Sequence, residues 1–210
     1  MENAGVTLSG GGNMTINGAA ANVSITAENT ATAFLFHFDD AEEPFLNLGT
    51  GSITSIEGSA SIVEGGKFGN CLFATENAKA FTTQPFGGKD FTVEFWNKTK
   101  IDFVVNWGNN KYLSIVSGGG IYKFYYSTAK LETTKPALNE WQHLAMCYSH
   151  DEGKIYCFVG GQFVGNIAAE ITRGNLQHTA FYRDSYADEY RILDGVCAWT
   201  SNFTPPASPY

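Results

Sequence analysis

Carboxylates are the side chains most able to do chemistry in this chain, and their spacing does not fit a hydrolytic pair. Hydrolysis of a glycosidic bond needs two carboxyl groups about 5 to 10 Å apart, on either side of the bond. Asp188 and Glu189 are adjacent, so on a regular strand they point to opposite faces, and Glu94 has only Thr92 and Trp96 at even spacing. We therefore expect no catalytic residues and predict that the chain is not an enzyme.

Other reactive side chains are equally scattered. No two of the four histidines have the HxH or HxxxH spacing of a metal site, and no GxSxG elbow or phosphate-binding loop with Lys and Ser or Thr is present. The four cysteines form no CxxC pair, and buried reduced thiols are expected. Cys147 and Cys157 flank a predicted hairpin and would face each other if Tyr148 pairs with Tyr156, which would permit a disulfide without requiring one.

A binding surface is a better fit to the composition of one region. Sugar sites use an aromatic face to stack on the ring and a few amide or carboxylate groups to fix the hydroxyls. Residues 106–126 are the densest source of both groups, although most of their aromatic rings are equally suited to core packing. The candidate ligand-binding residues are Trp107, Asn109, Asn110, Tyr112, Tyr122, Tyr125 and Tyr126.

Short strands separated by turn residues must position these side chains. Nine stretches rich in β-branched and aromatic residues are separated by Gly and Asn clusters, and none keeps a helical spacing. Since the strands are not interleaved with helices, they predict an all-β, antiparallel two-sheet β-sandwich. The nine stretches are AFLFHFD, KFGNCLFAT, FTVEFWNK, KYLSIV, IYKFYYS, WQHLAMCYS, KIYCFVGG, QFVGNI and DEYRIL.

Charge and composition limit the partners. The 210 residues carry a formal net charge of −8, which would repel a phosphate backbone, so no nucleic acid is expected. No basic leader followed by an apolar run is present at the start, and no apolar run reaches about 18 residues, so we expect neither a signal peptide nor membrane insertion.

Residues 1–30 differ from the rest of the chain. They contain no aromatic residue, and three short alternating stretches lie between Gly and Ala residues, so this segment cannot bury a core of its own. We predict an N-terminal arm for attachment or oligomerisation over 1–30, a sandwich domain over 31–206 and a tail over 207–210. A flexible leader or an extra edge hairpin remains an alternative for the arm.

The order of several stretches resembles a known family. FLFHFDD, GGKFGNCLFAT, KDFTVEFWNK, EWQHLAMCYSHDEGKIYCFVGGQFVG and DEYRILDGVCAWTSNFTPP follow the pattern of laminin-G-like, concanavalin A-like jelly-roll domains across residues 34–206. Two departures from the pattern weaken the transfer of any ligand site. SYADEYRI replaces the usual glycine and aliphatic residue, and Ala198 replaces a basic residue.

The resemblance implies a location and a metal. Its closing form, WTSNFTPP, is similar to domains common in bacteriophage virion proteins, so a virion surface is expected, with an extracellular bacterial surface as the alternative. Many family members hold calcium between the first and last strands, which implies Ca²⁺ at Asp39, Asp40 and Asp188. Ion pairing with Arg191 is the alternative role for these acids.

These expectations define one main function and two rivals. The main hypothesis is a non-enzymatic virion protein, present in several copies, that decorates the capsid or tail or forms a fibre. Residues 1–30 would bind other virion proteins, and the jelly roll would bind host-surface glycan or protein. The rivals are a purely structural assembly protein without a ligand and a degenerate glycoside hydrolase-like domain.

Overall fold

The fold is a β-sandwich of two antiparallel sheets. A computed structural model describes residues 31–98, 100–107, 111–135, 139–182 and 184–210, together with the backbone pairing of Met14–Ile16 (β1) and Ala19–Ala21 (β2). All nine strands expected from the sequence are present. No helix in this part of the chain is long and apolar enough to cross a membrane.

One sheet has seven strands and is built from the middle of the chain. Its spatial order is β13 (Ala129–Thr134), β12 (Ile121–Tyr126), β11 (Tyr112–Gly118), β10 (Asp102–Asn106), β18 (His178–Phe181), β7 (Ala78–Phe81) and β4 (Ser55–Glu57). Buried and half-buried residues alternate along β10 and over the start of β12, as expected when one face of a sheet packs on a core.

The second sheet has eight strands, and β19 (Tyr186–Asp194) lies at its centre. The order is β16 (Gln162–Ala168), β15 (Lys154–Val159), β14 (Gln142–Ser149), β9 (Phe91–Lys98), β19, β6 (Asn70–Ala74) and β5 (Ala60–Glu64), and β3 (Thr32–Phe36) also pairs with β19. A short pair, β8 (Pro85–Phe86) with β17 (Gly174–Asn175), lies apart from both sheets. The DEYRIL stretch is thus the closing strand, as predicted.

Aromatic rings fill the space between the sheets. Phe95 of β9 lies 4.7 Å from Phe103 of β10 and 5.8 Å from Phe181 of β18 between ring centroids, so these contacts join the two sheets. Tyr190 of β19 stacks on Phe36 of β3 at 5.4 Å. Such tilted and edge-on pairs add to the stabilisation that burial of the rings provides.

A β-bulge in β19 corrects one expectation. Glu189 has a φ of 52°, and the pairing register with β9 shifts between Asp188 and Arg191. Ala187 and Tyr190 both point into the core, so the two residues between them lie on the outer face together. The prediction that Asp188 and Glu189 point to opposite faces is therefore wrong, because a bulge inserts one extra residue into the alternation.

The cysteines do not face each other. Cys147 pairs with Tyr156 and Cys157 pairs with Met146, so the condition for a cross-strand disulfide is not met. Cys157 belongs to the core between the sheets, whereas Cys147 lies on the outer face of the eight-stranded sheet. Both are free thiols, as are Cys71 and Cys197.

Candidate functional site

The predicted ligand-binding set divides into core and surface residues. Trp107 and Tyr122 are buried, and the Tyr122 hydroxyl donates to Oδ1 of Asn97 at 3.3 Å. Tyr126 is half-buried, stacks on Trp107 at 6.3 Å and donates its hydroxyl to the carbonyl of Glu170. Asn109 and Asn110 lie outside the described residues.

Tyr112 and Tyr125 lie on the outer face of the seven-stranded sheet. Tyr112 is opposite Asn106 of β10, which is opposite His178 of β18, and His178 is opposite Phe81 of β7. These four half-buried side chains thus form one row across four strands. The rings of Phe81 and His178 are 5.3 Å apart. We call this outward surface the open face.

A second row of the open face runs parallel to the first. Tyr125 is opposite Ser114, Ser114 is opposite Val104, and Val104 is opposite Ala180. The small side chains of Ser114 and Ala180 leave the rings of Tyr112 and Tyr125 as the larger projecting groups. A surface of this kind offers flat apolar rings interleaved with hydrogen-bonding groups.

The electrostatics of the open face are mild. Burial, with a contribution from Lys79, lowers the pKa of His178, so its imidazole is neutral at pH 7 and offers one donor and one acceptor. Burial raises the pKa of Asp102, against the smaller lowering effect of Lys100. The face therefore presents a neutral imidazole between the rings of Phe81 and Tyr112.

Phe81 and His178 were missed by the sequence reasoning. They lie on β7 and β18, which are four residues long and were not predicted. The alternation in AKAF and HTAF was the available signal, but four residues are too few to separate it from chance. Only the pairing of β18 with β10 places these rings beside Tyr112.

The opposite outer face, on the eight-stranded sheet, is covered by residues 195–210. Trp199 and Phe203 stack on each other with centroids 3.7 Å apart and pack on an apolar cluster of the sheet. That cluster consists of Ala145, Cys147, Tyr156 and Phe158. We call this surface the covered face.

A buried charge network lies beneath the covered face. Glu94 Oε1 accepts from Arg191 Nε at 2.8 Å and from Nη2 at 2.6 Å, while Oε2 accepts the Tyr210 hydroxyl at 2.6 Å. His143 Nε2 is 3.0 Å from the same Oε2. Burial raises the pKa of Glu94, but the hydrogen bond from His143 and the charge of Arg191 lower it by more. Glu94 is thus a fully buried, ionised carboxylate with both oxygens engaged.

The network extends to the bulged residue. Glu189 Oε1 lies 2.7 Å from His37 Nδ1, and Oε2 accepts the backbone N–H of Tyr210 at 3.1 Å. The hydrogen bond to Glu189 raises the pKa of His37. The Arg191 guanidinium stacks 3.6 Å above the ring of Tyr210. Tyr210, in the segment predicted as a tail, therefore packs against the covered face.

The three acids named for calcium are each used for backbone hydrogen bonds. Asp188 Oδ2 accepts the N–H groups of Lys67 and Phe68, and Asp39 Oδ1 accepts that of Asn70. Asp40 accepts the N–H groups of Glu42 and Glu43. Within the described ranges, no three Asp, Glu, His or Cys side chains form a group that could hold a metal ion. Asp188 Oδ1 is buried without a hydrogen-bond partner among the described residues, and calcium at Asp39, Asp40 and Asp188 stays a prediction.

Comparisons with known proteins support the fold. No protein-family model matches the chain, and no curated protein matches it. Domain 4 of AbnA, a GH43 extracellular arabinanase from Geobacillus stearothermophilus solved with arabinotriose, is similar with a TM-score of 0.60 and 18% identity. The match covers 81% of this chain and 96% of that chain.

Two further solved structures are similar at lower identity. A Trypanosoma rangeli sialidase in complex with sialic acid has a TM-score of 0.53 and 10% identity, over 86% of this chain and 33% of that chain. The carbohydrate binding module CBM66 from Bacillus subtilis has a TM-score of 0.47 and 12% identity, over 68% of this chain and 98% of that chain. The jelly-roll-like sandwich predicted from the sequence is confirmed.

Proposed function

We propose that this chain is a carbohydrate-binding module whose binding surface is the open face. The observation that carries the proposal is the row of half-buried Phe81, His178, Asn106 and Tyr112 across four paired strands, with Tyr125 in the adjacent row. Aromatic rings held by a rigid sheet can stack on the C–H face of a sugar with little further loss of side-chain entropy. The arabinotriose complex of the similar arabinanase domain supports the same ligand class.

Binding of a neutral oligosaccharide follows from the charges of the face. Neutral His178 can exchange hydrogen bonds with sugar hydroxyls, while the net charge of −8 disfavours anionic glycans. The two tyrosines, on adjacent strands and in adjacent rows, would contact different parts of a chain of sugars. We therefore expect oligosaccharides to bind better than monosaccharides.

A glycan array followed by calorimetry tests this proposal. The intact chain should bind at least one neutral oligosaccharide, and Tyr125→Ala and Tyr112→Ala should each weaken binding roughly tenfold, which corresponds to about 1.4 kcal/mol. The matched control is Phe163→Ala, because Phe163 is a 39% exposed aromatic residue of the other sheet. Absence of binding to every glycan, or an equal loss in the control, would refute the proposal and leave a structural role.

We propose further that binding occurs without hydrolysis. Glu94 is inaccessible to solvent, and its two oxygens are held by Arg191, Tyr210 and His143, which supports a structural role for this acid. The glycan found by the array should therefore keep its chain length on prolonged incubation. Release of shorter sugars that stops in Glu94→Gln or Glu189→Gln would instead support the degenerate hydrolase.

The site of display is a separate part of the proposal. The likeness of WTSNFTPP to virion domains and the composition of residues 1–30 support a multi-copy phage surface protein attached through that segment. Mass spectrometry of purified particles should detect the chain, and deletion of residues 1–30 should abolish incorporation while glycan binding persists. Normal incorporation of the truncated chain would refute the attachment role without affecting the glycan proposal.

A further inference from the structure

The loop between β3 and β4 carries an apolar surface that the glycan proposal does not use. Leu46 is 46% exposed, Leu48 is 56% exposed and Ile56, on β4, is 53% exposed. These are three of the five large hydrophobic side chains that are exposed in the described part of the chain. A contiguous group of this kind is typical of an interaction surface.

Hydrogen bonds fix the loop in place, so this exposure belongs to the fold. Asn47 Oδ1 accepts the N–H groups of Leu35 and Gly49, and its Nδ2 donates to the carbonyls of Ala33 and Gly51. Asn47 thus holds the loop against β3. Phe45 is buried and packs edge-on against Phe36 at 5.5 Å. Leu46 and Leu48 flank Asn47 and are therefore held at the surface.

A cavity of about 550 Å³ opens between this loop and β4. Among the residues that line it are Leu46, Ile53 and Ile56 as apolar surface and Glu42, Glu43 and Ser52 as polar surface. A second cavity of about 110 Å³ shares Glu43 and Leu46 with the first. The two cavities are therefore adjacent, and together we call them the β4 groove.

A strand edge borders the β4 groove. β4 is the last strand of the seven-stranded sheet, and β7 is its only partner among the described strands. All three of its residues are exposed. The unpaired backbone groups of an edge strand can pair with an added strand, while apolar pockets beside the edge take its side chains.

The charge around the groove selects the partner. Residues 1–66 contain eight Asp and Glu residues and no Lys or Arg. Asp40, Glu42 and Glu43 are exposed and line the groove. Glu57, the exposed neighbour of Ile56, points to the outward face of β4. Two of the eight acids lie in residues 1–30, which contain no basic residue, so charge disfavours the chain's own arm as the occupant. A basic segment gains favourable attraction at this surface.

We propose that the β4 groove binds an extended segment of another protein in which aliphatic residues alternate with Lys or Arg. The aliphatic side chains enter the cavity against Ile53 and Ile56. The basic side chains alternate to the outward side, next to Glu57 of the edge strand, and Glu42 and Glu43 of the cavity wall add to the attraction. The backbone of the segment pairs with β4. The outward side of β4 borders the open face, because Ser55 is opposite Phe81, but the aromatic rings of that face are not part of the groove.

Titration of the full chain with three octapeptides tests the proposal. The probes are alternating Val-Lys, alternating Val-Glu, and a peptide of four Val followed by four Lys. We expect alternating Val-Lys to bind at least tenfold more tightly than the other two and to weaken as salt is raised, because exposed charges are screened. Equal binding of the two Val-Lys peptides would overturn the proposal by showing a purely electrostatic contact, and so would no binding.

Variants locate the site. Ile56→Lys and, separately, Leu48→Lys should weaken alternating Val-Lys at least tenfold, whereas Phe163→Lys, which changes an exposed residue of another sheet, should leave it unchanged. Melting curves confirm that each variant is folded. If one groove variant fails to fold, the other still tests the site. Hydrogen exchange of Ser55–Glu57 amides should slow when the peptide binds. Unaltered binding in both groove variants, or binding without slower exchange, would overturn the proposed mode.

Discussion

The two outer faces of the sandwich are built from strands with similar polar and apolar alternation, yet one face is buried and the other is partly exposed to solvent. On the covered face, β9 and β14 are buried along nearly their whole length, although Thr92, Glu94 and His143 are polar. On the open face, β10 alternates strictly between buried and half-buried residues. The difference is produced by residues 195–210, which lie over one sheet.

The comparison teaches that polar residues on a strand do not by themselves indicate solvent. Glu94 can be buried only because Arg191, His143 and Tyr210 satisfy its carboxylate. The charged residues of the other sheet, such as Lys130 and Glu132, pair in solvent at 2.9 Å. One set of charges is therefore enclosed between the sheet and residues 195–210, and the other is exposed to solvent.

The largest expected effect separates these two kinds of ion pair. Arg191→Met leaves Glu94 buried with an uncompensated charge and should lower the free energy of unfolding by about 3 to 5 kcal/mol. Lys130→Met, which breaks an exposed pair, should cause no measurable change. Chemical denaturation of both variants checks the contrast, and similar losses would show that the covered face is not sealed.

Removal of a covering ring should have the next largest effect. Trp199→Ala removes a half-buried ring from the apolar cluster and should cost about 2 kcal/mol, less than a fully buried Trp. Tyr125→Ala on the open face should cost no more than about 0.5 kcal/mol. The midpoints of urea unfolding decide this, and a larger loss at Tyr125 would mean that the open face is packed against something.

A pH profile sharpens the comparison at the end of the covered face. Burial raises the pKa of Asp188 from 3.8 to about 6, so the folded state keeps a proton that the unfolded state releases. This contribution is present below pH 3.8 and is lost as pH rises through about 6. Asp188→Asn should therefore flatten the fall in melting temperature between about pH 4 and 6.

His37 provides a check on that assignment. Its pKa is raised by Glu189, so its contribution has the same sign but is lost above its ordinary value of 6.5. Asp188→Asn should reduce the slope above pH 6.5 only slightly, because Asp188 is the smallest of the causes that raise the pKa of His37, whereas His37→Gln should remove most of that slope. If His37→Gln instead flattens the fall between about pH 4 and 6, that fall is due to His37 and not to Asp188.

The smallest expected effect concerns calcium. Because Asp39, Asp40 and Asp188 accept backbone hydrogen bonds, a chelator and millimolar calcium should both leave the melting temperature unchanged. A ligand that binds only the folded state would raise it by mass action. A calcium-dependent rise that disappears in Asp188→Asn would establish the metal site that the sequence implied.

The sequence by itself determined the class of fold and the location of its longer strands. FTVEFWNK and WQHLAMCYS form β9 and β14 where expected, because long alternating runs rich in β-branched and aromatic residues have no competing structure. Strands such as β4, β7 and β18 were missed, since two to four residues carry too little periodicity. The segment DFVVN, which forms β10, was also not predicted.

Only the tertiary structure decided which residues meet. Tyr112 and Tyr125 were selected by composition, but their companions Phe81 and His178 come from distant strands that pairing brings into register. The same holds for Glu94, Arg191 and Tyr210, whose contact depends on the path of residues 195–210. The geometry of a strand makes successive side chains point to opposite faces. Long-range packing decides which segment covers each face. It also decides where a bulge, such as that at Glu189, changes the face to which the following side chains point, and no local pattern encodes either feature.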